Sequence, residues 1–129
     1  MSDFHLILSD SELASATCDA HTLRLRFAVM QAVSAPHSPA HPTGYISGVT
    51  LVLHDAVVKH IDGPLIGRIS SGEVICNGQP IASLSLQDRW AGNLIVTLQG
   101  GGRFQLEAQG SALTITTDGP VQVHESYAC

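Results

Sequence analysis

The chain has 129 residues, of which 44% are apolar and 13% are charged, and its formal net charge is −5 at neutral pH. This length suits one domain with a single hydrophobic core, and the composition excludes a largely disordered chain. The negative charge disfavours nucleic acid and anionic membrane surfaces as partners, because both repel an acidic protein.

The first residues lack the pattern of a signal peptide or a membrane span. The longest aliphatic run there, residues 6–8, has acidic residues on both sides and no basic region before it. Three widely spaced cysteines, Cys18, Cys76 and Cys129, fit a reducing compartment better than a disulfide framework. We therefore expect a cytoplasmic protein.

Alternation of apolar and polar residues dominates the chain from residue 22 to residue 124. In the first run, Leu23, Leu25 and Phe27 alternate with Arg24 and Arg26, as in a strand with one buried face. Turn-forming residues separate the runs at positions 19–21, 77–78, 100–102, 109–111 and 118–120. The pattern predicts an all-β single domain of about eight or nine antiparallel strands, either a β-sandwich or a curled, barrel-like meander.

Helix is expected in one short piece at most. Ser9 and Glu12 have the spacing of a helix capping box, but residues 13–18 also suit the first arm of a hairpin that leads into Thr22. We favour the hairpin, because residues 19–21 form a good turn. Residues 62–67 can hold one helical turn at most.

A segment rich in proline and histidine, residues 34–44, predicts a surface loop. Its histidines, His37 and His41, are candidate zinc ligands, because neutral imidazole binds zinc well. Their spacing aligns two ligands only on a helix, and the neighbouring prolines disfavour a helix. We expect two solvated histidines, no metal and no cofactor, and we keep a metal-binding module as the third functional hypothesis.

Acid–base groups cluster in the middle of the chain. His54, Asp55 and His60 could pair an imidazole with a carboxylate, and with Arg68 they form the candidate pocket of an enzyme or a small-ligand-binding barrel. The chain has no G-x-S-x-G motif and no nucleophile in a recognisable setting. Catalysis or small-ligand binding is therefore the alternative hypothesis rather than the leading one.

Arg89 and Trp90 adjoin in a polar stretch that we predict to be a loop between two apolar strands. Tryptophan and arginine are the commonest anchors of protein interfaces, so the pair is the candidate contact point for a partner. The other interpretation, which we favour, is that Trp90 folds back and covers one end of the core.

The leading hypothesis is a non-enzymatic domain that recognises a protein partner by its loops or by an open sheet edge. In its small size and acidic single-domain build, the chain resembles bacterial immunity proteins that neutralise a toxin. That resemblance implies a toxin-neutralising role and assigns no site residues. The sequence does not decide whether two copies of the chain form a homodimer through an edge strand.

Overall fold

The computed structural model describes residues 5–33, 44–81, 84–85, 89–118 and 123–124. Most of these residues lie in strands and none lies in a helix, which confirms the all-β prediction. The strands are β1 (His5–Asp19), β2 (Thr22–Val33), β3 (Gly44–His54), β4 (Val57–Asp62), β5 (Gly67–Arg68), β6 (Ser71–Cys76), β7 (Gln79–Pro80), β8 (Leu84–Ser85), β9 (Arg89–Gln99), β10 (Gln105–Thr117) and β11 (Val123–His124).

All strands belong to one antiparallel sheet that is curled into a half-barrel. Its hydrogen-bonded order is β5-β1-β2-β3-β10-β9-β6-β7, and β4, β8 and β11 add to β10, β1 and β3. The predicted hairpin of β1 and β2 is present, with its turn at residues 20–21. Of the two predicted architectures, the curled meander is therefore the one that forms.

One stretch of chain, which we call the closing segment (residues 67–76), joins the two ends of this sheet. Its first part, β5, pairs with β1, and its last part, β6, pairs with β9. The change of partner takes one residue: the Ile69 amide donates to the Ser11 carbonyl at 2.8 Å, and the Ser70 amide donates to the Gln99 carbonyl at 2.8 Å. The segment therefore holds the sheet in its curled form.

A bulge in β1 makes this closure possible. Ile7 lies opposite Gln31 and Glu12 lies opposite Val29, so residues 8–11 oppose a single residue of β2. The fully buried Ser11 fills the gap in the ladder, since its hydroxyl donates to the Ile7 carbonyl at 2.8 Å and accepts from the Gln31 amide at 2.9 Å. A side chain thus replaces the missing backbone partners.

The sheet also bends along a line that crosses β3, β10 and β9. β3 and β4 pair with the same side of β10, so they form one interrupted strand with its break at residues 55–56. Opposite the break lies Gly110, where an added Cβ would come within 2.6 Å of the Leu53 side chain and 2.7 Å of the His54 carbonyl oxygen. Only glycine allows the two strands to approach so closely.

The predicted turn at residues 109–111 is therefore wrong. These residues lie inside β10, where the ladder with β9 is irregular between Gly110 and Ala112. Turn-forming residues here produce a bulge rather than a chain reversal, because β10 is paired on both sides and cannot leave the sheet.

The loop predicted at residues 34–44 is one residue too long, because β3 begins at Gly44. Residues 34–43 lie outside the described residues.

One hydrophobic core lies on the concave side of the sheet. The predicted inward residues of β2, which are Leu23, Leu25 and Phe27, are at most 3% exposed, and the ring of Phe104 is buried as well. The core thus follows the alternation that the sequence displays.

Replacing Ser11 with alanine should lower the free energy of unfolding by about 1–3 kcal/mol. The Ile7 carbonyl and the Gln31 amide would both lose a partner inside the protein. The same replacement at the exposed Ser15, on the same strand, should change stability by about 0.5 kcal/mol or less. Denaturant unfolding of both variants measures the difference, and equal losses would contradict the role given to the Ser11 hydroxyl.

Candidate functional site

Arg89 and Trp90 do not lie in a loop. They are the first residues of β9, opposite Thr114 and Leu113 of β10, so the loop prediction is wrong at these positions. Arg89 is exposed, whereas Trp90 is half-buried and packs against the core. The strand was missed because residues 91–93 are polar or small where β9 crosses the bend.

His54 and Asp55 lie at the bend between β3 and β4. The His54 Nε2 atom is 3.2 Å from the Thr114 hydroxyl oxygen, and the Ser111 hydroxyl donates to the Asp55 carboxylate. Asp55 has a left-handed backbone, with φ at 52°. Both side chains therefore hydrogen-bond to β10 across the bend.

His60 and Arg68 lie elsewhere. His60 is exposed on β4 opposite Glu107, and Arg68 forms an ion pair with Asp10 in the β1 bulge. The four residues of the predicted pocket are thus divided among the bend, the middle of β4 and β5. His37 and His41 lie outside the described residues, and no group of three metal-binding side chains occurs within the part of the chain that is described.

The Arg68 contact is part of a cluster that the sequence did not reveal. The Asp10 carboxylate accepts hydrogen bonds from Arg68 and, at 3.0 Å, from the Tyr45 hydroxyl. The Arg68 hydrogen bond lowers the pKa of Asp10 below its ordinary value of 3.8, against an opposing effect of desolvation. The bond to Asp10 raises the pKa of Tyr45 above 10.0. The cluster ties β1, β3 and the closing segment together.

Surface depressions flank the closing segment. One, of about 340 Å³, is lined by residues that include Arg68 and Arg103, and another, of about 280 Å³, lies between β1 and β6 and is lined largely by apolar side chains. Neither is lined by His54, Asp55 or His60. The acid–base groups and these depressions therefore do not coincide.

The strongest surface feature is strand β4. Among the described residues, the large hydrophobic side chains that are exposed all lie between positions 57 and 66: Val57 (52%), Val58 (37%), Ile61 (56%) and Ile66 (57%). Three of them belong to β4, which pairs with β10 and, within the described ranges, with no other strand. We call the side of β4 that faces away from β10 the β4 edge.

Two of these side chains lie on the concave side of the sheet. Val58 is opposite Ala108 and Ile61 is opposite Leu106, and both β10 residues are at most 2% exposed. Residues that are directly opposite in an antiparallel pair lie on the same face. Val58 and Ile61 therefore face the core side while remaining accessible, so the core side is open along β4.

Sequence reasoning missed this edge, because residues 57–62 do not alternate and drew attention only through their acid–base groups. One signal was present. Lys59 is the only lysine of the chain, and it is the extra residue of a bulge in β4. Lysine and bulges are devices by which proteins protect an exposed edge strand.

No protein-family model, no curated protein and no solved structure matches this chain. No helix in the described parts of the chain is long and apolar enough to cross a membrane. The geometry of the sheet is therefore the feature of this protein that indicates a function.

Replacing Trp90 with alanine should destabilise the protein by about 3 kcal/mol, the lower end for large aromatic side chains, because the ring is half-buried against the core. Denaturant unfolding tests this. A loss below about 0.5 kcal/mol, the size typical of surface changes, would instead support an exposed contact residue.

Stability should depend on Asp10 in a pH-dependent way. Because folding lowers its pKa, the carboxylate stabilises the fold above its unfolded pKa, and this contribution disappears as pH falls through the folded pKa. The stability difference between the wild type and Asp10→Asn should thus shrink below pH 3.8. Urea unfolding at a series of acidic pH values measures this difference in the free energy of unfolding. The variant Asp19→Asn is the control for the change in net charge. A difference that stays constant with pH would exclude the ionised cluster.

Proposed function

We propose that this protein is a non-enzymatic interaction domain that binds an extended segment of a protein partner along the β4 edge. The observation that carries the proposal is the coincidence of an open strand edge with the exposed hydrophobic side chains of residues 57–66. An added strand would satisfy the backbone groups of β4, and apolar side chains would supply further affinity.

The two faces of β4 differ in a way that suits such a strand. On the concave side the partner would meet Val58 and Ile61, and on the outer side it would meet His60 beside Glu107. A segment that alternates apolar and polar residues matches both faces at once, since alternate side chains of a strand point to opposite sides. Main-chain pairing supplies affinity and these side chains supply selectivity.

Neutralisation of a toxin is one instance of this proposed activity, and the small size and acidic charge of the chain support it. In that case the toxin would contribute the added strand. The alternative of a His/Asp pocket gains no support from the geometry, because its residues bond to different partners around the sheet.

Proline substitutions test the proposal, because proline removes one amide donor. His60 and Ile61 are adjacent, so their amides point to opposite sides of β4. One of the variants His60→Pro and Ile61→Pro should lose a hydrogen bond to β10 and unfold more easily. The other should keep wild-type stability and weaken binding of a partner purified on the wild-type protein by at least about tenfold, or about 1.4 kcal/mol.

Alanine at the same two positions is the matched control for loss of the side chain. Amide hydrogen exchange on the complex gives the direct readout, since pairing protects the amides of the β4 edge. A partner that binds the stable proline variant as tightly as the wild type, or that leaves β4 exchange unchanged, would overturn the proposal.

A further inference from the structure

The convex side of the sheet is open to solvent where β6, β9, β10 and β4 lie side by side. Its outward side chains alternate with buried core residues, and all of them are exposed or half-buried, so the described residues place no second layer on it. We call this surface the outer face. Its side chains form three rows across the strands: Ile75, Ile95, Gln109 and Val57; Glu73, Thr97, Glu107 and His60; Ser71, Gln99, Gln105 and Asp62.

Three carboxylates lie on the outer face, each on a different strand. Glu73 and Glu107 share a row with Thr97 between them, so their Cα atoms are about 10 Å apart at the usual strand spacing. Asp62 is the diagonal neighbour of Glu107, at about 7–8 Å. All three are exposed, and none of these side chains forms an ion pair or a hydrogen bond with a described residue.

The charge of this surface is negative even when the cations beside it are counted. Lys59, the bulge residue of β4, and Arg103, two residues before β10, adjoin the outer face, and so does the Asp55 carboxylate at the bend. The Arg103 guanidinium lies close to Gly67 of the closing segment, where an added Cβ would be 3.7 Å from it. Four carboxylates therefore oppose two cations, and the net charge of the chain, −5, has the same sign. Local and overall charge both attract a cationic partner.

The arginines of the convex side are separated from these carboxylates by the bend. Arg24 and Arg89 lie in one row across β2, β3, β10 and β9 on the far side of the bend. Arg26 lies next to Arg24 along β2 and forms an ion pair with Asp118. The carboxylates thus form a separate patch, whereas a surface that serves only solubility intersperses both signs.

We propose that the outer face binds a lysine- or arginine-rich surface of a protein partner. Long cationic side chains can contact carboxylates about 10 Å apart on a convex sheet without a matching groove. Their aliphatic stems would pack against the adjacent row, where Val57 is 52% exposed and Ile75 and Ile95 are half-buried. Strand addition at the β4 edge is not needed for this contact, so the inference goes beyond the proposed function and can fail without it.

A second copy of this chain is a weaker candidate for the occupant. Its arginine side would have to lie on the carboxylates of the first copy, but each copy carries a net charge of −5, so the two repel at long range. Nucleic acid is repelled by the same field. A basic protein surface has neither disadvantage.

A blocked peptide of alternating lysine and serine serves as the probe, and a peptide with glutamate in place of lysine is its control. Nuclear magnetic resonance of the isotope-labelled full chain locates the binding surface. We expect the lysine peptide to shift the amide signals of residues 71–75, 95–99 and 105–109 more than those of β2 and β3. Binding should weaken between ionic strengths of about 0.01 M and 0.15 M, as the screening length falls from about 30 Å to about 8 Å.

Three other results would overturn the inference. The first is an equal response to the glutamate peptide, and the second is a set of shifts centred away from the outer face. The third is a concentration-dependent shift of the outer face without peptide, which would assign this surface to a second copy. None of these results bears on strand addition at the β4 edge, which the proline variants test separately.

Matched variants separate local from overall charge. Glu107→Gln removes one carboxylate of the outer face and should weaken the lysine peptide about threefold, within the range for an exposed ion pair. Glu73→Gln combined with it should weaken binding about tenfold, since sites about 10 Å apart act additively. Asp19→Asn removes the same charge at the end of β1 and should change the affinity much less.

Unfolding in urea shows whether these carboxylates have a structural role instead. Because the Glu73 and Glu107 side chains form no ion pair or hydrogen bond with a described residue, both variants should keep the urea midpoint of the wild type. A lower midpoint, or an equal loss of peptide affinity in Asp19→Asn, would overturn the assigned role of the outer face.

Discussion

The fold depends on the change of partner in the closing segment. Ile69 bonds to the β1 bulge and Ser70 bonds to β9, so a single peptide unit connects the two ends of the sheet. Ile69 is 1% exposed, and Gly72 lets β1 pass close by, since an added Cβ would lie 2.8 Å from the Leu8 Cβ atom. Without this junction the curled sheet would lose the contact that turns its ends toward each other.

Closure at this one junction explains why the sheet stays open elsewhere. The closing segment begins opposite Leu13 and runs along β1 only as far as Asp10 before it follows β9, so residues 14–19 of β1 have no partner from it. β4 extends past the turn between β1 and β2, because it follows the bend of β10. The two open edges are therefore consequences of how the barrel is closed, rather than independent features of the surface.

The sequence predicts those parts of the fold in which one strand has one buried face. β2 is an example, because Leu23, Leu25 and Phe27 are buried and the arginines between them are exposed. The prediction fails where long-range pairing decides the structure. Gly110 is a turn-forming residue, yet it lies in a bulge inside β10. Trp90 lies in a strand, because Leu113 of β10 is its partner. Neither pairing leaves a local pattern.

The candidate site was harder to predict than the fold, for a related reason. An edge strand is defined by the absence of a neighbour, and residues 57–62 carry no periodic signal that reveals this. The sequence marks Arg68 as a possible pocket residue, but its partner Asp10 and the Tyr45 hydroxyl that also bonds to Asp10 are far away along the chain, and the sheet brings them together. The single lysine of the chain, Lys59, is the one local sign in the sequence that residues 57–62 form an edge strand.

Lys59 connects the protection of β4 with its selectivity. A bulge and a central lysine make β4 a poor partner for another copy of itself, which lowers the risk of edge-to-edge aggregation. Lys59 thus disfavours pairing of two copies more than pairing with a strand of another protein, because specificity is the difference between the two binding free energies. This accounts for exposed hydrophobic side chains on a strand that still carries its protecting charge.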